Sequence, residues 1–406
     1  MTTTEPEPTA APAARPAIPR EVWVMVCASF VIALGYGVVA PALPEFARSF
    51  DVGVTAASAV VSAFAVMRLV FAPTSGRLVR KLGEQPVYLL GLLIVALSTL
   101  AAAFSQNYWQ LIVFRGLGGI GSVMFTVSAM GLIIRIAPPA IRGRVSGLYS
   151  SSFVLGSISG PLLGGALVGF GLRVPFVVYA VALLVAIAVV RWQLRGSPLT
   201  AIDTSPTVAA MPMRAALAIG AYRSAVLTAM IFGWVYAMRV SLVPLYFAIV
   251  LHQQPGVAGL ALATYACGDV LAMFPSGRLS DRVGRRPLIV AGMTVLALAT
   301  AALALTESVP LAFAFTLVAG VGTGMVSPAQ QAALADIMYG HGRGGPVLVT
   351  FQMCQDVGTV VGPVVGGFLA QMWGFPVAFG VTAALAAVAA LAWAVVRDTT
   401  SATVGS

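Results

Sequence analysis

The sequence predicts an all-α membrane protein, twelve transmembrane helices arranged as two pseudo-symmetric six-helix bundles, on three observations. Of its 406 residues, 59% are hydrophobic and only 9% charged, a balance foreign to ordinary water-soluble globules. The apolar residues fall into runs of about 18 to 25, the length an α-helix needs to cross roughly 30 Å of hydrocarbon. One short charged phrase also occurs twice: SGRLVRKLGEQP at Ser75–Pro86 returns as SGRLSDRVGRRP at Ser276–Pro287, 201 residues later.

The runs, in order, are Val22–Leu43, Val54–Pro73, Val87–Phe104, Trp109–Ile136, Val145–Phe170 and Pro175–Leu194, then Ala225–Leu251, Val257–Pro275, Leu288–Thr306, Pro310–Met338, Val347–Met372 and Pro376–Val396. Each is continuously apolar without alternation, which argues for helices over a transmembrane barrel. Residues 1–20 are rich in Pro, Thr and Ala, open with acids and lack the basic-then-apolar order of a cleavable signal. They read as a disordered cytoplasmic tail. Residues 21–195 are the expected N-terminal bundle and 223–397 the C-terminal bundle. Between them the Pro-, Ser- and Thr-containing stretch 196–222 reads as a cytoplasmic linker, and 398–406 as a second cytoplasmic tail.

Orientation follows from the basic residues, which collect in cytoplasmic loops. With the first tail inside, the inner segments hold 18 Lys and Arg and the outer loops only Arg48 and Arg173. Both termini are therefore expected in the cytoplasm and the protein in the cytoplasmic (inner) membrane. The net charge of +10 then faces anionic lipid and calls for no nucleic acid. Cys27, Cys267 and Cys354 fall in separate spans and read as small buried thiols, without a disulfide or a metal cage. His252 and His341 have no second ligand at metal spacing. No GxxxxGK[ST] phosphate loop occurs, so nothing couples ATP hydrolysis to movement. Neither an enzyme nor a cofactor is expected; a gradient must drive any work done.

The repeated phrase falls in the inner loop between the second and third span of each half. A second duplication, GPLLGG at Gly160–Gly165 and GPVVGG at Gly362–Gly367, lies in the fifth span of each half. Paired halves related by an axis along the membrane normal are the plan of one class of secondary transporters, with a site at their interface. The glycines every four residues let helix backbones approach closely, and the proline permits a bend. Gly147, Gly156, Gly160, Pro161, Gly164 and Gly165, with Gly362, Pro363, Gly366 and Gly367, thus read as a bent hinge; ordinary small-residue packing is the alternative.

With these motifs the chain resembles the major facilitator superfamily over nearly all of residues 20–397, and within it the twelve-span drug:proton antiporters. SGRLSDRVGRR is similar to that family's loop G-x-L-x-D-R-x-G-R-R, with Gly277, Asp281, Arg282, Gly284, Arg285 and Arg286 in place. LIVFRGLGGIG resembles its fourth-span motif, with Arg115 four residues before Gly119, and GLYSSSFVLGSISGPLLGG reproduces G-x8-G-x3-G-P-x2-G-G. The resemblance implies efflux, because the last pattern is typical of exporters that swap a drug for a proton. It also implies that Arg115 relays an acid's proton and that the loops gate the inner face. Those gating residues are Gly76, Arg77, Arg80 and Gly83 in the first copy, and Gly277, Arg278, Asp281, Arg282, Gly284 and Arg285 in the second. The first copy departs from the family, carrying Arg80 at the acidic position, so Asp281 against Arg142 or Arg144 is the expected latch.

Buried charge points to function, since an ionised group at the bilayer centre costs about 3 kcal/mol or more and is seldom kept without a partner or an aqueous cavity. Five such residues stand out. Arg68 and Asp269 each precede their copy of the charged phrase by seven residues; Arg115 lies in span four, and Arg239 and Asp356 near the middle of spans seven and eleven. Asp356, beside Gln352 and Gln355 in QMCQDVG, is the expected proton carrier and Asp269 the second choice. The competing reading is a permanent ion pair, Arg239 with Asp356 or Arg68 with Asp269. GWVYAMRVSLVPLYF at Gly233–Phe247 offers an adaptable apolar wall, while Trp109, Trp192, Trp373 and Trp393 read as interfacial anchors. Three arginines against two acids leave an anionic or zwitterionic substrate open.

The expectation is a monomer, surrounded by membrane lipid, that exports a small amphiphilic molecule in exchange for a proton by alternating access. An uptake symporter or facilitator, a dedicated metabolite exporter, and a scaffold that moves nothing are the alternatives.

Overall fold

A computed structural model describes residues 18–136, 142–193, 213–338 and 345–399. Fourteen helices follow one another: α1 Arg20–Val39, α2 Ala42–Arg48, α3 Val54–Leu82, α4 Glu84–Ala103, α5 Tyr108–Ile136, α6 Arg142–Val168, α7 Val174–Gln193, α8 Met213–Ala218, α9 Gly220–Ile249, α10 Pro255–Val283, α11 Arg285–Ala304, α12 Val309–Met338, α13 Gly345–Trp373 and α14 Phe375–Ala394. Among the described residues twelve spans are long and apolar enough to cross a membrane, α1 and α2 together forming the first. Among the described residues no strand occurs.

Two boundaries differ from expectation. The repeated charged phrase is not a loop: α3 runs through Pro73 to Leu82 and α10 through Pro275 to Val283. Basic side chains that reach water let a helix continue past the hydrocarbon, so only one residue breaks the chain in each copy. That residue is Gly83 (φ 83°) or Gly284 (φ 104°), a left-handed conformation that glycine enters without a Cβ clash. Part of the expected linker is also helical, because α8 and the start of α9 occupy 213–222; residues 196–212 lie outside the described ones. Most of both expected tails does too, although Asp398 and Thr399 are described and bonded.

Packing repeats between the halves. In the first, α1 lies on α6 and α7, and α5 on α3 and α4; in the second, α9 lies on α13, and α12 on α10 and α11. The glycine pattern explains the tightest of these contacts. A Cβ on Gly156, Gly160 or Gly164 of α6 would overlap the carbonyl oxygens of Phe30, Leu34 or Val38 of α1, one helical turn after another. In α13, a Cβ on Gly358 would overlap the Met230 carbonyl oxygen of α9, while Gly362 lies against the Trp234 backbone and Gly366 against the Met238 side chain. Each pattern ends in a second glycine that turns outward to the other bundle: Gly165 meets Gly256 and Gly259 of α10, and Gly367 meets Thr55 and Ser58 of α3. The seam between the bundles therefore rests mainly on α3 against α13 and α6 against α10, with α2 and α3 also touching α9. Its hydrogen bonds run from Thr55 N–H to Gln371 Oε1 (3.0 Å) and from Ser62 Oγ to the Val360 carbonyl (2.6 Å). These contacts lie toward the membrane face opposite the chain termini.

Side-chain placement corrects two further expectations. Trp109, Trp192 and Trp373 are exposed at span ends, but Trp393 is wholly buried and its Nε1 donates to Thr228 Oγ1 at 2.9 Å. An indole N–H that finds an acceptor inside the bundle has no need of the interface. Cys27 and Cys267 are exposed and Cys354 half-buried, because glycine and alanine already fill the positions where helices touch.

Candidate functional site

The buried charges gather at the seam, in two adjoining cavities. The first, about 310 Å³, is lined by Arg68 of α3, Arg115 of α5 and Asp356 of α13, with Gln352, Gln355 and Thr359 on the same face of α13. The second, about 240 Å³, is lined by Arg239 of α9, Asp269 of α10 and Thr323 of α12, with Pro161 of α6. Tyr36, Phe153 and Tyr236 line both. Tyr36 and Tyr236 come from the first helix of each half, so the partition itself is made by both bundles.

The charges pair differently from the sequence expectation. Asp356 faces Arg68, and Gln352 stands one turn earlier on the same face of α13. Asp269 faces Arg239 and accepts from Thr323 Oγ1 at 3.3 Å. The reason is topological: α3 packs on α13, which brings Arg68 to Asp356, while α10 neighbours α9 within one bundle. Arg68 and Asp269 hold equivalent places in the two halves and so stand on opposite sides of the pseudo-axis. Among the described residues neither pair closes to a salt bridge within 4.0 Å. Arg68 Nη1 is instead held by Ser122 Oγ at 2.7 Å.

Aromatic faces position the other two cations. The Arg239 guanidinium lies 4.5 Å from the ring centre of Tyr265 and 5.0 Å from that of Tyr236, a cation–π arrangement. Arg115 lies 4.8 Å over Phe64, is only 5% exposed, and its Nε has no hydrogen-bond partner. A buried donor left unpaired costs about 1–3 kcal/mol, more when charged. Sequence reasoning missed the aromatic share of this site: Tyr36, Phe64, Phe153, Tyr179 and Tyr265. A phenol set between Gly35 and Gly37 in the first span was the available signal. Of the expected aromatic wall at Gly233–Phe247, Tyr236 and Arg239 reach the cavity, whereas Trp234 donates to Thr382 Oγ1 at 3.0 Å inside the bundle.

At the membrane face nearer the termini the second charged phrase is fastened within its own bundle. Asp281 pairs with Arg285, one turn apart on the exposed helix end, where an i,i+4 pair forms without any second helix. The side chains of Arg142 and Arg144, like Arg135 and position Gly147, lie outside the described ones. Arg285 Nε also donates to Asp336 Oδ2 at 3.3 Å, Thr399 Oγ1 donates to the same oxygen at 3.2 Å, and Arg286 donates to the Ala394 carbonyl. Asp398 accepts the backbone N–H groups of Arg285 and Arg286 at 3.2 and 3.3 Å, a carboxylate placed at the N-terminus of α11. Arg77, Arg80, Arg278 and Arg282 are exposed, while Gly76 and Gly277 are half-buried in their helices. At the 201-residue offset, Arg80, Glu84 and Arg135 correspond to Asp281, Arg285 and Asp336, every sign reversed.

A two-bundle, twelve-span helical protein with a charged cavity at the seam is a membrane transporter of the secondary class. The chain belongs to the Major Facilitator Superfamily, whose profile matches residues 25–254 and 225–405. It is 26% identical to the class B tetracycline resistance protein of Escherichia coli over 345 residues, 82% of this chain and 84% of that one. It is 31% identical to Multidrug resistance protein 2 of Bacillus subtilis and to the quinolone resistance protein NorA of Staphylococcus aureus, in each case over 159 residues. Those two matches cover 39% of this chain and only 40% of either relative. Among solved structures, a bacterial homolog of the human lysosomal transporter Spinster, inward-facing and occupied, superposes with a TM-score of 0.77 at 17% identity over 92% of this chain and 95% of that one. A POT family transporter in complex with 5-aminolevulinic acid has the same TM-score and coverage at 11% identity. At these identities the structural likeness speaks for the fold.

Proposed function

We propose that the protein is a proton-coupled exporter of small amphiphilic molecules, working as a monomer in the cytoplasmic membrane with both termini in the cytoplasm. Coupling needs no cofactor beyond the proton. The observation that carries this reading is Asp356 facing Arg68 across the seam, inside the cavity that a substrate would share. A carboxylate there gains and loses its cationic neighbour as the bundles rock, so its proton exchange is tied to the direction the cavity faces. The seam glycines bring the bundles together at the face opposite the termini, which in this orientation is the outer face. Export, rather than uptake, is favoured by the fifth-span glycine pattern and by similarity to drug-resistance proteins. In that cycle the substrate enters from the cytoplasmic side and leaves after the Gly165 and Gly367 seam opens; protonation of Asp356 from outside then resets the bundles.

The test is a panel of drug susceptibilities in a host lacking its own pumps. Wild type is expected to raise resistance to several chemically different compounds, and Asp356→Asn to return it to the level of empty vector. Unchanged susceptibility to every compound would remove the multidrug reading and leave a dedicated metabolite exporter.

A further inference from the structure

We propose that the cavity between the bundles takes amphiphiles with a negatively charged head and an aromatic body, and that Arg115 anchors the head. This deepens the exporter reading and rests on it only for the direction of transport. Three guanidinium groups and two carboxylates line the joined cavities. Among the described residues, Asp356 faces Arg68 and Asp269 faces Arg239, neither closing a salt bridge; Arg115 is the cation with no carboxylate across from it.

The surroundings of Arg115 suit the binding of an anion. It lines the cavity, is 95% withdrawn from solvent, and keeps an Nε without a hydrogen-bond partner. Buried polar side chains almost always find partners, and a planar guanidinium fits a carboxylate or sulfonate through two parallel donors. Phe64 beneath it fixes the plane at 4.8 Å without using any donor. Walls for an aromatic body stand beside it, since Tyr36 and Phe64 lie 6.0 Å apart, ring centre to ring centre, with Phe125 and Tyr179 on the same cavity. A cationic head would meet the surplus positive charge and two acids that already have arginines. A neutral head would leave the arginine unpaired.

The test is equilibrium binding to the purified full-length protein in lipid nanodiscs, using three probes with one ring system: 2-naphthoate, 2-naphthylmethanol and 2-naphthylmethylammonium. Naphthoate is expected to bind at least tenfold more tightly than the ammonium, with the alcohol between. Arg115→Gln is expected to weaken naphthoate tenfold or more while changing the alcohol less than twofold, and Arg115→Lys to keep the preference for the anion. Equal or tighter binding of the ammonium, equal weakening of all three probes in Arg115→Gln, or no binding of any probe would overturn the proposal. The wild-type ratio decides the matter even where a variant fails to fold. No gradient is present, so failure here leaves the exporter reading standing. Loss of gradient-driven flux with anion preference intact would remove that reading alone.

Discussion

The two carboxylates of the cavity differ in what lies across from them. Asp356 and its arginine belong to different bundles, on α13 and α3, whereas Asp269 and its arginine both belong to the C-terminal bundle, on α10 and α9. Bundles that rock as near-rigid bodies change every distance across the seam and few distances within a body. In the proposed rocking cycle the first pair would be remade at each turn, and the second would travel intact. One arrangement suits coupling; the other suits holding an arginine and its two tyrosines in shape for a substrate.

Breaking the cross-seam pair has the largest expected effect. Asp356→Asn should lower gradient-driven transport at least a hundredfold while substrate exchange at equilibrium, which moves no net proton, stays within threefold of wild type. Reconstituted vesicles assayed with and without a pH gradient measure both. Next in size is the seam that lets the pair form. A Cβ at Gly165 would stand 2.8 Å from the Gly256 carbonyl oxygen and 3.2 Å from Gly259 Cα, both backbone atoms that cannot turn aside. Gly165→Leu should then cut transport more than tenfold and hold the far face ajar. In a background without Cys27, Cys267 and Cys354, a cysteine placed at Thr359 should react faster with an impermeant maleimide added from that face.

Smaller effects sharpen the contrast. Asp269→Asn should raise KM three- to tenfold and leave the ratio of coupled to uncoupled transport unchanged, because its partner moves with it. Smallest of all is Asp281→Asn. Its carboxylate is 69% exposed, and a surface pair contributes less than about 1 kcal/mol. Arg285 also keeps Asp336. The variant should melt within a few degrees of wild type and transport at wild-type rates.

The fold was legible because its signals are one-dimensional. Span length is set by bilayer thickness, and duplication survives as GPLLGG and GPVVGG whatever the helices do in space. The same holds for the five buried charges, whose cost in lipid marks them out. What could not be read is which way each helix faces. Depth along a span placed Arg68 level with Asp269 and Arg239 level with Asp356, yet contact depends on rotation about the helix axis and on which spans adjoin. Trp393 shows the same gap: a tryptophan near a span end reads as an anchor until Thr228 is seen beside it. Pro73 and Pro275 misled in another way, since a proline that ends a water-soluble helix is accommodated in a membrane span where neighbours satisfy the freed carbonyl. The double glycines GG165 and GG367 carried two meanings in adjacent letters, one for packing within a bundle and one for closure between bundles.

The central claim is that Asp356, and not Asp269, exchanges the proton that moves with substrate. Proton release from acid-loaded everted vesicles on addition of a transported compound, followed by acridine orange fluorescence, tests it most directly. Wild type and Asp269→Asn should both relax the gradient and Asp356→Asn should leave it standing. Proton release that persists in Asp356→Asn, or that disappears in Asp269→Asn alone, would contradict the account.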